Sequence, residues 1–295
     1  MIAPSGRGNR RHSITLAAAL LATSVGVAGG GAQFTSGVNA VEVYASVVDA
    51  RGEPVRGLTR EDFELLEDGV PQRLSAFTAG EFPLTVALAL DRSFSMEGAP
   101  LAATKRAARA FLGALRPQDE ALVIGIGSDV TLLAGAGEPR DRQLAAVDAL
   151  HAWGTTSLHD AVIAALEAVD AGTGRRALVV LSDGDDRYSE ASAAEAIARA
   201  RRSNVMVYPI ALGRRRPPLF AELATVTGGR SFHARESKDL DQVLVTIARQ
   251  LREQYLLGYS PTRPPVPGSN EWRSITVRVK KPGLTVRARD GYYVR

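Results

Sequence analysis

Two hydrophobic rhythms divide this chain. Between residues 82 and 253, near-continuous apolar runs alternate with segments whose apolar residues recur every three or four positions. The first kind is typical of strands covered on both faces, the second of helices that bury one side. Strands are expected at Val86 to Asp91, Ala121 to Ile126, Val130 to Leu133, Arg176 to Asp183, Val205 to Leu212 and Arg230 to His233. Helices are expected at Ala99 to Leu115, Asp141 to Leu150, Ser157 to Val169, Ala191 to Arg202, Phe220 to Thr227 and Leu240 to Gln254. Only Gly127, Ser128 and Asp129 separate the second strand from the third. A parallel crossover needs about a dozen residues or more, so these two must pair antiparallel. The pattern therefore predicts an α/β fold: a doubly wound, mostly parallel six-stranded sheet, Rossmann-like, with one antiparallel edge strand.

Outside that region the rhythm has period two. Val41 to Val48 (VEVYASVV), Phe63 to Leu66 and Pro71 to Phe77 read as strands before it, and QYLLGY, RSITVRVKK and LTVRARDGYYV as strands after it. Ile275, Val277 and Val279 share one face, leaving Arg278 and Lys280 on the other. Fragments of two or three strands are marginal alone. The expected organisation is thus an N-terminal β segment (33–81), a central domain (82–253) and a C-terminal β segment (254–295), the two β segments packing together as one small β-rich flanking unit.

Candidate chemistry gathers where the apolar runs stop. In TVALALDRSFSM, Asp91, Ser93 and Ser95 follow the strand at alternate positions, and in RALVVLSDGDD, Asp183 closes the second strand. Parallel sheets bind their ligands at such carboxyl ends. Carboxylate and hydroxyl oxygens suit a hard divalent cation better than zinc or copper. Between these strands, GTTSLHDA adds Thr155 and Thr156 at a helix start.

DxSxS after a strand, a Gly-Thr-rich helix start and a strand ending in SDG together resemble a von Willebrand factor type A domain over roughly Phe82 to Glu253. The resemblance implies a metal-ion-dependent adhesion site, with Asp91, Ser93, Ser95, Thr156 and Asp183 as ligands. Thr156 is preferred to Thr155 because TSLHDA is similar to the family's Thr-x-Leu-x-Asp-Ala phrase, and Thr155 stays open. Mg²⁺ is the implied ion, with Mn²⁺ or Ca²⁺ as alternatives, and the implied partner is a protein offering an Asp or Glu carboxylate. The family usually has glycine between the two serines, where this chain has Phe94. GLTREDFELLEDGVPQ and the closing RDGYY also resemble the flanks of a group of exported bacterial, often acidobacterial, proteins related to von Willebrand factor A.

Charge and composition narrow the function further. Arg7, Arg10 and Arg11 precede an apolar run from Ile14 to Val27 and then small residues, the order of a secretory signal peptide over 1–32. Export to the periplasm or beyond is expected, with no stable membrane span in the mature chain. Removing those three arginines from 36 basic side chains leaves 33 against 32 acidic ones, near +1, which gives no argument for nucleic-acid binding. Without cysteine there are no disulfides or thiolate sites. An apolar strand ending in Asp also resembles the haloacid-dehalogenase phosphatases. That chemistry uses an acid two residues on, where this chain has Ser93, so a binding module rather than an enzyme is expected. A scaffold whose metal only holds loops together is the alternative. Arg214, Arg215 and Arg216, which follow a strand end, and Arg92 are candidates for steering an acidic partner, with Phe94 as an apolar contact. Asp185 and Asp186 read as turn residues in preference to groups that support the ligands from behind.

Overall fold

The computed structural model describes residues 40–294 except 81 and 267. The signal-peptide expectation lies outside the described residues. In chain order the elements begin with β1 (Val41–Val48), β2 (Phe63–Glu67), β3 (Val70–Gln72), β4 (Leu74–Gly80), β5 (Leu84–Asp91), α1 (Ala99–Gly113), β6 (Glu120–Ile126) and β7 (Val130–Ala134). They continue with α2 (Arg140–Asp148), α3 (Leu158–Asp170), β8 (Arg175–Ser182), α4 (Ala193–Arg202), β9 (Val205–Leu212), α5 (Pro218–Thr227), β10 (Phe232–Ala234) and α6 (Leu240–Arg252). The chain closes with β11 (Gln254–Tyr259), β12 (Trp272–Val279), β13 (Thr285–Arg287) and β14 (Gly291–Tyr293).

The central sheet has six strands in the order β10-β9-β8-β5-β6-β7. All neighbours are parallel except β6 and β7, whose antiparallel pairing the three-residue loop demands. Strand β5 lies in the middle and every one of its residues is buried. Its alternation sorts the two cores: Leu84, Val86, Leu88 and Leu90 pack with α1, α2 and α6, while Ala87 and Ala89 face the side covered by α3, α4 and α5. Small residues on that second face leave room for the alanine-rich α3 to approach. Helices therefore cover both faces, and the carboxyl ends of β5, β8 and β9 form one rim. No helix among the described residues is long and apolar enough to cross a membrane.

The flanking strands form two four-stranded sheets, β13-β1-β11-β4 and β14-β12-β2-β3, which share a core of Val43, Ala45, Leu65, Tyr255, Leu257 and Ile275 among others. Pairing of β1 with β11 and of β2 with β12 joins chain from before the central domain to chain from after it. Two runs read as single strands each divide between the sheets. Pro71, which cannot donate to a ladder, lies on the edge strand β3, and after Gln72 the chain leaves that sheet and re-enters the other as β4. The last run breaks at Asp290, whose N–H donates to the Val226 carbonyl at the end of α5 and whose own carbonyl accepts from Ile275.

Candidate metal centre

Three loops build the rim. The first leaves β5 at Asp91, which is fully buried. Its two oxygens are already engaged: Oδ1 accepts from the Ser93 amide at 2.8 Å and Oδ2 from the Ser182 hydroxyl at 2.5 Å. Burial pushes the Asp91 carboxyl above its usual range, against the pull of these two donors, and the nearby charge of Asp183 adds to the rise. Past Asp91 the chain turns through one short 3-10 turn, Phe94–Met96, pinned by the buried Met96. The turn places Ser93 Oγ and Ser95 Oγ 3.1 Å apart, and Ser95 donates to Asp183 Oδ1 at 3.0 Å. Because Ser95 has a single proton, Ser93 is the donor between the two serines.

The second loop runs from Trp153 into α3. Gly154 takes a left-handed φ of +73°, and a side chain there would collide with Ser128. Thr155 and Thr156 border the same cleft as Ser93, Ser95 and Asp183. The third loop, after β8, locks onto the second: the Thr156 carbonyl accepts from the amides of Arg187 and Tyr188. Asp186 caps α3, accepting from the amides of Leu158 (2.8 Å) and His159 (3.2 Å).

Ser93, Ser95, Thr156 and Asp183 thus meet at one cleft, with Asp91 beneath them and bonded to the Ser93 amide. The hydroxyl side chains bordering the cleft, Ser93, Ser95, Thr156 and the alternative Thr155, and the Asp183 carboxylate are hard oxygen donors of the kind a divalent cation takes. Among the described residues no group of three or more acidic, histidine or cysteine side chains forms an alternative metal site.

The expected rim arginines separate. Arg214, Arg215 and Arg216 are exposed, and Arg215 bonds Asp185 at 2.6 Å beside the cleft. Arg92, expected to steer partners from the rim, is instead only 8% exposed. Its guanidinium lies 5.0 Å from the Trp153 ring centroid, with Nη2 3.5 Å from Asp129. Gly125 makes that inward course available, since a Cβ there would come within 3.0 Å of Arg92 Nε. Phe94 turns outward, 64% exposed, and its amide donates to the Gly154 carbonyl at 3.0 Å. The bulky residue in place of glycine therefore leaves the two serine hydroxyls convergent.

Sequence reasoning did not single out Ser182, Arg187, Trp153 or Tyr188, and it took Asp186 for a turn residue. The Ser of SDG was the only local signal for Ser182. Asp186 binds a helix 27 and 28 residues earlier in the chain, a contact that spacing does not reveal.

The family model for the von Willebrand factor type A domain matches residues 85–246. A search of the curated proteins found no match. Among solved structures, a von Willebrand factor type A protein from Catenulispora acidiphila is similar at 14% identity and a TM-score of 0.54, over 79% of this chain and 72% of that one. Proximal thread matrix protein 1 from the mussel byssus is similar at 13% identity and a TM-score of 0.53, over 63% of this chain and 51% of that one. The same mussel protein with a zinc-occupied MIDAS motif is similar at 14% identity and a TM-score of 0.51, over 63% of this chain and 49% of that one. With its sheet order, its three rim loops and a family match over more than half its length, the chain belongs to the von Willebrand factor type A domain family.

Proposed function

We propose that this protein is an exported, metal-dependent protein-binding module of adhesion type, in which the carboxyl rim of the sheet holds Mg²⁺. The observation that carries the reading is the convergence of Ser93, Ser95, Thr156 and Asp183 on one open cleft above a buried Asp91. A bound cation would supply a Lewis-acidic position for the Asp or Glu carboxylate of a partner protein. Ser93, Ser95 and Thr156 are neutral donors, so they leave most of the ion's charge for that incoming group. Asp91 orients Ser93 through the backbone and is itself fixed by Ser182. The mussel relative with zinc in its MIDAS motif supports a divalent ion at this type of site. The charged, apolar and small-residue order of the first 32 residues supports export. The centre is read as binding rather than catalytic, because Ser93 stands where a phosphatase of comparable layout needs a carboxylic acid.

Calorimetric titration of Mg²⁺ and Mn²⁺ into the metal-stripped protein, beside Asp91→Ala, tests the reading. Saturable heat that disappears in the variant is expected. Absence of heat with either ion in the unaltered protein would overturn it.

A further inference from the structure

Among the described residues, the exposed large apolar side chains include three aromatic ones: Phe94 at 64%, Trp153 at 41% and Tyr188 at 63%. The other four are the aliphatic Val70, Leu132, Val245 and Val266, none of them on a rim loop. Each aromatic residue sits on a different one of the three loops that build the metal centre, and each is held by its backbone. The Phe94 amide donates to Gly154, the Trp153 amide to the Arg92 carbonyl at 2.7 Å and the Tyr188 amide to the Thr156 carbonyl at 3.2 Å.

Trp153 is also braced from behind. The Arg92 guanidinium lies over its ring, and Gly127 lies so close that a Cβ there would come within 2.9 Å of the indole. A buried arginine and two glycines, Gly125 and Gly127, are arranged so that one tryptophan keeps a fixed pose with part of its surface in water. Core packing does not require that arrangement. Phe94 lines the cleft itself, and Trp153 and Tyr188 are each next in sequence to a lining residue, Gly154 and Arg187. Exposed aromatic groups held in place beside a polar centre are common anchors of a protein interface, because they bury large area at small entropic cost. Charge points the same way: Arg187 and Arg215 border the cleft, with Arg214 and Arg216 exposed nearby in sequence.

We infer that Phe94, Trp153 and Tyr188 form an aromatic collar that selects, among carboxylates, an Asp or Glu flanked by large apolar side chains on a partner protein. The inference rests on the metal reading above and adds to it what the partner must carry beside its carboxylate. Arg92 is then a positioning residue for Trp153.

The test uses short synthetic peptides with a central aspartate, labelled for fluorescence anisotropy and titrated into the whole protein at saturating Mg²⁺. One carries leucine and phenylalanine beside the aspartate, the other glycine and serine, and a third has asparagine at the centre of the apolar sequence. The apolar-flanked aspartate peptide should bind about tenfold or more tighter than the glycine-flanked one. Phe94→Ala and Tyr188→Ala should each erode that advantage about threefold or more, with the calorimetric Mg²⁺ affinity unchanged. Equal binding of the two aspartate peptides would overturn the collar and leave the metal reading standing. No binding of either aspartate peptide, or binding that survives chelation of the metal or replacement of aspartate by asparagine, would overturn the carboxylate reading and the collar with it.

Discussion

Two polar clusters in this molecule are built from similar groups to opposite ends. In the flanking sheets, Glu67 is 3% exposed and its carboxylate is filled: Tyr259 donates at 2.7 Å, Tyr292 at 2.9 Å and Arg273 at 3.1 Å. The Arg273 guanidinium goes on to the carbonyls of Arg263 and Pro264, leaving its Nε without a partner. At the rim, Asp91 is filled in the same way by Ser182 and Ser93, but the layer above it ends in Ser93, Ser95 and Asp183 facing a cleft. The first cluster is closed and ties together strands from both ends of the chain. The second is closed below and open above, so its upper layer has capacity left for a ligand. The two clusters are alike in burial and hydrogen bonding at their base and differ in that only the rim turns oxygen lone pairs, those of Ser95 and Asp183, towards a cleft, which is the feature the metal reading rests on.

Breaking the closed cluster should cost the most. Glu67→Gln leaves the buried Arg273 cation with only Glu271, at 3.4 Å, as a carboxylate partner and should lower unfolding stability by about 3 kcal/mol in denaturant titration, with Mg²⁺ affinity unchanged. A loss of stability accompanied by loss of metal binding would mean that the two clusters are not independent. The reverse experiment is Asp91→Asn. It should weaken Mg²⁺ by about 10- to 100-fold while the metal-free unfolding midpoint holds or rises, since the buried charge it removes is disfavoured in the fold.

Alkaline pH separates the clusters in a third way. Burial, reinforced by its bond to Glu67, pushes the Tyr292 hydroxyl up from 10.0 to about 12, and the same causes raise Tyr259. A group whose proton is held more tightly in the folded state stabilises the fold fully below its unfolded value, and that contribution is lost as pH rises through the folded one. Stability should therefore decline between pH 10 and about 12, and Tyr292→Phe should flatten that decline. An unchanged slope in the variant would remove Tyr292 from the closed network. The smallest effect is expected from reversing Arg214, Arg215 and Arg216 to Glu. Association of the aspartate peptide should slow by up to about tenfold at low salt and hardly at physiological salt. Equal rates at low salt would remove the triplet from partner steering.

Much of the sheet was legible because its signals are local. The apolar runs that stop at Asp91 and Asp183 name the two central strands, and the three residues between Ile126 and Val130 dictate the antiparallel edge. Ser93, Ser95 and Asp183 stood out by residue type at strand ends and Thr156 only through the family resemblance, and the loops bring all four to one cleft that Thr155 also borders. What stayed hidden depends on contacts between distant segments. Arg92 turns inward because Gly125, on the neighbouring strand, has no side chain to exclude it. The outward pose of Phe94 follows from a backbone bond to Gly154, 60 residues on in the chain. The break at Asp290 follows from its bond to the end of α5.

Openness of the rim is the central claim, and relaxation of water protons by bound Mn²⁺ tests it most directly. The whole protein is titrated with Mn²⁺, and Asp91→Ala serves as the control. The account predicts a strong enhancement from rapidly exchanging water on the protein-bound ion, reduced when the apolar-flanked aspartate peptide is added and absent in the variant. Bound Mn²⁺ that produces no enhancement would mean that the protein closes the ion's coordination, and the metal would then be a clasp for loops rather than a site for a partner.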